Sequence, residues 1–187
     1  MQILGLSEST PKPENRAKTL FWPTIRNEMD VDVVTRQGFW ICTILAIVFL
    51  AAGLFQGNLF VLAVECFEAL FFALSGIGIR CRSITAAVSV FLVYFLSTFL
   101  VGVGVLRLLG NALLLANVRG TWLSARWRDR QTEPPPVPLD ETFLERFTDR
   151  LPLVLWPNVR VFYYFIAAGE FVFLLVALLR VRLQLLG

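Results

Sequence analysis

Three long apolar tracts dominate the chain, Gly38–Ile79, Ser83–Val118 and Val161–Leu179, with charged residues gathered in the segments between and around them. Only four charged side chains fall inside the tracts: Glu65, Glu68, Arg107 and Glu170. A helix needs about 20 apolar residues to cross the hydrocarbon core of a bilayer, and in lipid the backbone must satisfy its own hydrogen bonds. The pattern therefore predicts an all-α integral membrane protein whose solvent is mostly lipid.

Gly38–Ile79 is interrupted by Gln56-Gly57-Asn58, a turn signal, and reads as two spans in a tight hairpin. Val161–Leu179 reads as one span. Ser83–Val118 is harder. Its 36 residues would run about 54 Å as one straight helix, well beyond a ~30 Å core. It is either one span with a projecting tail or two short spans turning near Gly102-Val103-Gly104. Charge asymmetry separates the two, because cytoplasmic segments collect Lys and Arg. With the N-terminus inside, four spans put nine basic residues inside and eight outside, whereas five spans put fourteen inside and three outside. The expected architecture is a bundle of about five transmembrane helices, with four the rival count.

Four segments follow: a cytoplasmic stretch over residues 1–37, helices 1–4 over 38–118 (hairpins 38–79 and 83–118), a cytoplasmic segment over 119–160, and a last helix with its tail over 161–187. The first span reads as an uncleaved anchor, since 37 residues with five acids precede it. In a prokaryote the location would be the inner membrane. Within the 119–160 segment, Pro134-Pro135-Pro136-Val137-Pro138 is a stiff linker. Leu139, Phe143, Leu144, Phe147 and Leu151 then recur at helical spacing. They predict an amphipathic helix over 139–151, ended by Pro152, that lies on the bilayer or docks on a partner.

Trp22-Pro23-Thr24-Ile25-Arg26 and Trp156-Pro157-Asn158-Val159-Arg160 share one pattern, each ahead of a span. Trp at headgroup depth with Arg beside phosphate is an interfacial anchor, so Trp22, Arg26, Trp156 and Arg160 are expected there, and Trp122 and Trp127 with them. Gly53 with Gly57, and Ala112 with Ala116 and Gly120, stand four apart, the spacing that lets helices approach closely in lipid.

Composition narrows the chemistry. Charged residues are 17% of the chain, the net charge is +3, and there is no histidine. Nothing basic is organised for nucleic acid. No histidine-ligated haem or metal is expected, and no cofactor is predicted. A lipid, quinone or carotenoid held by apolar shape alone stays compatible with the chain. Cys81, between Arg80 and Arg82, reads as a thiol activated by its cations, as a juxtamembrane palmitoylation site, or as an inert interfacial cysteine. Catalytic signatures are missing: there is no Gly-x-Ser-x-Gly, phosphate loop or dinucleotide fingerprint. No catalytic or metal site is assigned.

Ionisable residues in a span are expensive and face a partner or a cavity. By helical rise Glu68 and Glu170 fall near the midplane, with Glu65 one turn from Glu68 and Arg107 near the outer surface. Three readings stand: a carboxylate track for protons or a cation with Arg107 as outer counter-charge, glutamates that are protonated or bonded to Ser75, Tyr94, Tyr163 or a backbone carbonyl, or Glu65 or Glu68 paired with a partner subunit's arginine. Asn111 and Asn117 are expected to hydrogen-bond between helices. The function expected is non-enzymatic, an accessory or scaffolding subunit among other integral membrane subunits and lipids. The alternative is a small proton- or cation-translocating protein using Glu68 and Glu170.

Overall fold

The computed structural model describes residues 20–25, 28–128 and 146–186. Among them five long helices account for nearly all the chain and no strand occurs: α1 (Glu28–Phe55), α2 (Leu59–Arg80), α3 (Ile84–Val101), α4 (Val105–Arg128) and α5 (Leu151–Leu186). A single π-helical turn, Arg146–Arg150, leads into α5. The first four helices follow one another through short turns, at residues 56–58, 81–83 and 102–104. At the first, Gly57 takes a positive φ of 65° that other residues rarely adopt. Asn58 then caps α2, its Oδ1 accepting from the Phe60 N–H at 2.9 Å and the Val61 N–H at 3.4 Å. Ser83 caps α3 in the same way. The 36-residue tract breaks where Gly102 takes φ 107°, between Val101 and Val105.

Four segments are long and apolar enough to cross a membrane: Asp30–Phe55, Leu59–Arg80, Ile84–Val101 and Phe147–Gln184. The fifth helix, α4, has 24 residues, about 36 Å of rise. Arg107, Asn111, Asn117 and Arg119 make it more polar than the others.

The last helix departs from the sequence reading. It starts at Leu151, ten residues before Val161, and runs through Pro157 for 36 residues. Pro152 does not end a helix: it lies where the π-helical turn Arg146–Arg150 passes into α5, and the Thr148 carbonyl four residues before it accepts from Arg80 Nε at 3.1 Å. Pro157 forfeits one backbone hydrogen bond, and packing of the adjacent Trp156 ring on Tyr163, centroids 5.4 Å apart, holds that turn in place. Residues 139–145 of the expected amphipathic helix lie outside the described residues.

α2 is central, touching α1, α3 and α5, while α4 packs on α1 and α3. Phe71, Phe72, Ile79, Val90, Leu114 and Tyr163 fill the interior. Phe72 stacks on Phe49 at 5.0 Å and Phe71 on Tyr163 at 5.9 Å. Outward faces carry large apolar side chains on every helix, from Leu54 and Phe60 to Phe99, Leu106 and Phe165. An apolar exterior on this scale suits lipid rather than water.

Candidate functional site

Two groups of charges lie within the bundle, and they are built in opposite ways. The first is a clasp at the end where α2 finishes. Arg80, with a side chain only 10% exposed, hydrogen-bonds Asp32 of α1 and reaches Thr35 Oγ1 at 2.5 Å. It also donates to Asp149 Oδ1 at 2.6 Å and to the Thr148 carbonyl at 3.1 Å. Arg36 completes the ring with Asp149 Oδ2 at 3.1 Å. The guanidinium fork thus joins α1, α2 and the turn before α5, with two carboxylates for two guanidiniums. The sequence reading missed it. Asp32 and Arg36 stand one helical turn apart, a visible signal, but nothing in the pattern shows that the turn before α5 folds back onto Arg80.

Beside the clasp, Cys81 Sγ lies 3.2 Å from the Pro152 carbonyl. Burial pushes this thiol up to about 11, outweighing the nearby Arg80 charge that works to lower it. That direction runs against the activated reading of Cys81.

The second group is the set of four charges from the apolar tracts. Two of them come together, Glu68 and Glu170, whereas Glu65 packs against Gly53 of α1 and Arg107 is not in the lining of the same cavity. The cause is register. Ser75 of α2 donates to Tyr163 Oη of α5 at 3.3 Å, and seven residues from each, two helical turns on, stand Glu68 and Glu170. Antiparallel packing of α2 on α5 brings the second pair together as it does the first. Both glutamates line a cavity of about 260 Å³ with Ala63, Val64, Phe67 and Phe173. The rim residues Phe67 and Phe173 are exposed, so the cavity opens outward between the two helices.

Glu170 is only 2% exposed, and its Oε1 has no hydrogen-bond partner. Glu65 Oε2 and Arg107 Nη1 are likewise buried and unpartnered. Leaving one such group unmet costs about 1–3 kcal/mol. Ser75 and Tyr163 are not the glutamates' partners: Ser75 also donates to the Phe71 carbonyl at 2.8 Å, and Tyr163 hydrogen-bonds Ser89 of α3. Tyr94 stands against Gly110 of α4, where an added Cβ would meet its hydroxyl at 2.7 Å. The cleft is an acidic, apolar-walled opening whose charges the described chain does not satisfy.

The other expected positions divide. Gly53 is a close-packing site, since a Cβ there would meet Glu65 Cβ at 2.8 Å. Gly57 is not; it lies in the turn with open space around it. Gly120 packs against Val34 and Pro23. Ala116 is buried but Ala112 is exposed, and both line a groove of about 590 Å³ with Phe21, Trp22, Arg119 and Trp122. Asn111 does join helices, donating to Thr98 Oγ1 of α3 at 3.0 Å. Asn117 touches Gly38 of α1 and accepts from Thr121 at 3.5 Å.

Trp22 and Trp122 are exposed, with Arg119 3.8 Å above the first ring and Arg126 3.9 Å above the second. Arg160 is exposed on α5. The Trp156 ring is half-buried, and an added Cβ on Gly78 would meet it at 2.5 Å. The two Trp-Pro motifs are not a structural repeat, because Trp22 sits in a bend and Trp156 inside a helix. Arg26 and the Trp127 side chain lie outside what is described.

No protein-family model matches the chain, and neither does any curated protein or solved structure.

Proposed function

We propose that the protein is a non-enzymatic integral membrane subunit, an accessory or scaffolding component held in a larger membrane assembly. The observation that carries this reading is the outward-opening cleft with Glu170 at its base, 2% exposed and with an unmet oxygen. A buried group of that kind is stabilised by something brought to it. The apolar exterior supports the membrane setting. α4 is taken as a fifth crossing, because Asn111 and Asn117 turn toward α3 and α1 rather than outward. With the N-terminus cytoplasmic, the basic residues then gather on the cytoplasmic side.

The second reading is a small proton- or cation-translocating protein. Its support is that Glu68 and Glu170 line one cavity. It also needs a continuous polar path. Tyr163 lies two turns from Glu170, about 10 Å along α5, and Phe71, Ile166 and Ala167 are buried in that interval. Proton transfer needs hydrogen-bond reach or a bridging water, so the geometry favours a binding site over a pathway.

The test is gentle solubilisation from native membranes followed by native-mass sizing. Stoichiometric migration with other integral membrane proteins is expected. Migration as a monomer or small homo-oligomer would overturn the subunit reading. A proton flux lost in Glu68→Gln would establish translocation in its place.

A further inference from the structure

The cleft between α2 and α5 also specifies the chemistry of what fills it. We infer that it receives a lysine or arginine side chain from a transmembrane helix of a partner protein, an inference that rests on the subunit reading.

Charge gives the first argument. Two carboxylates, Glu68 and Glu170, line the cleft, and no cationic side chain is among its lining residues. With two acids and no cation in its walls, the cleft accepts positive charge from outside. Glu170 is the residue that requires it, being buried and turned into the cavity with Oε1 unmet.

The walls give the second argument. Beyond the two glutamates the lining is Ala63, Val64, Phe67 and Phe173. A hard metal ion takes six or more oxygen ligands and keeps its waters when the protein offers fewer. Among the described residues no group of three or more acidic, cysteine or histidine side chains is placed to hold a metal. A basic side chain fits these walls better. Its apolar stem lies along Phe67 and Phe173, its charged head reaches the carboxylates, and the rings add cation–π attraction.

Position gives the third. The cavity opens on the outer face of the bundle, between helices long and apolar enough to span a membrane. A cation arriving there in lipid is carried on another helix, because an unpaired charge at that depth is expensive for the segment that bears it. Pairing removes the penalty for both partners and fixes which helices associate and in what register.

The experiment uses the full chain in phosphatidylcholine vesicles. The probes are two synthetic leucine-rich helices of about 22 residues, one with a single central lysine and one with leucine in its place. Association is read by energy transfer from a dye on the protein to a dye on the peptide. The lysine helix is expected to bind at least about tenfold more tightly, with the advantage abolished in Glu68→Gln/Glu170→Gln and retained in Cys66→Ser. Equal binding of the two peptides by the unaltered protein, which needs no variant, would overturn the inference. A lysine preference that survives the double substitution would overturn it too. The two levels stay separable: equal peptide binding by a protein that migrates in a native assembly refutes the cleft chemistry alone. A lysine preference in a protein that migrates by itself refutes the subunit reading alone.

Discussion

The clasp around Arg80 and the cleft around Glu170 both bring carboxylates inside the bundle, yet one is closed and the other open. In the clasp, Arg80 spends its fork on Asp32, Asp149, Thr35 and a carbonyl, and the carboxylates are met from two sides. In the cleft, two carboxylates stand among apolar walls with no guanidinium in the lining, and the buried Glu170 Oε1 has no partner. Charge brought inside a bundle therefore has two outcomes. Where it is balanced within the chain it ties helices together, and where it is unbalanced it leaves a buried oxygen unmet.

That contrast predicts opposite signs for similar substitutions. The largest effect is expected for Arg80→Met, which removes the buried guanidinium shared by Asp32 and Asp149 and leaves them Arg36 alone. Unfolding free energy, measured by steric trapping in bicelles, should fall by about 3 kcal/mol, and an unchanged value would show that the clasp does not hold α1, α2 and α5 together. Glu170→Met should do the reverse. Replacing a buried, unmet carboxylate by an apolar side chain of similar length should stabilise the isolated protein by about 1–2 kcal/mol. A loss of stability there would mean that Glu170 is satisfied within the chain.

Between the two sites stands Tyr163, bonded to Ser75 and Ser89. Tyr163→Phe keeps the stacking on Phe71 and removes only the hydroxyl, so a loss of about 0.6–1 kcal/mol is expected by the same measurement. No loss would detach α3 from the account. The smallest effect concerns Cys81. With its thiol pushed up to about 11, on the order of one molecule in a thousand carries thiolate at pH 8. Maleimide labelling of a Cys42→Ala/Cys66→Ser protein should be slow and quicken about tenfold per pH unit between 7 and 10. Fast labelling at pH 7 would show a thiol freed from its burial.

Periodicity and charge made the helices legible. The turns at Gly57 and Gly102, the division of Ser83–Val118 and the convergence on α2 all follow from apolar runs meeting small polar breaks. The four buried charges stood out because they are rare in such runs. The meeting of Glu68 with Glu170 was only half written in the sequence. The seven-residue spacings Glu68–Ser75 and Tyr163–Glu170 put each pair on one face of its helix, but which face meets which depends on the α2–α5 register. Seating Trp156 on Gly78 sets that register, and no local pattern announces such a contact. The reading of α5 failed at Pro152 and Pro157 for a related reason. Proline opposes a helix locally, and tertiary packing of the adjacent Trp156 overrides it here. The clasp escaped notice because its partners stand up to 117 positions apart, Asp32 and Asp149 being joined only through Arg80 and Arg36.

The central claim is that the charge of the cleft is met from outside the chain. It is tested most directly by native-mass sizing of the unaltered protein and the Glu68→Gln/Glu170→Gln variant, extracted in parallel from the same membranes. The account predicts that the unaltered chain migrates in a stoichiometric assembly and the variant, folded by its helical circular dichroism, migrates apart from it. An assembly that keeps its size and composition with both carboxylates neutralised would contradict the account.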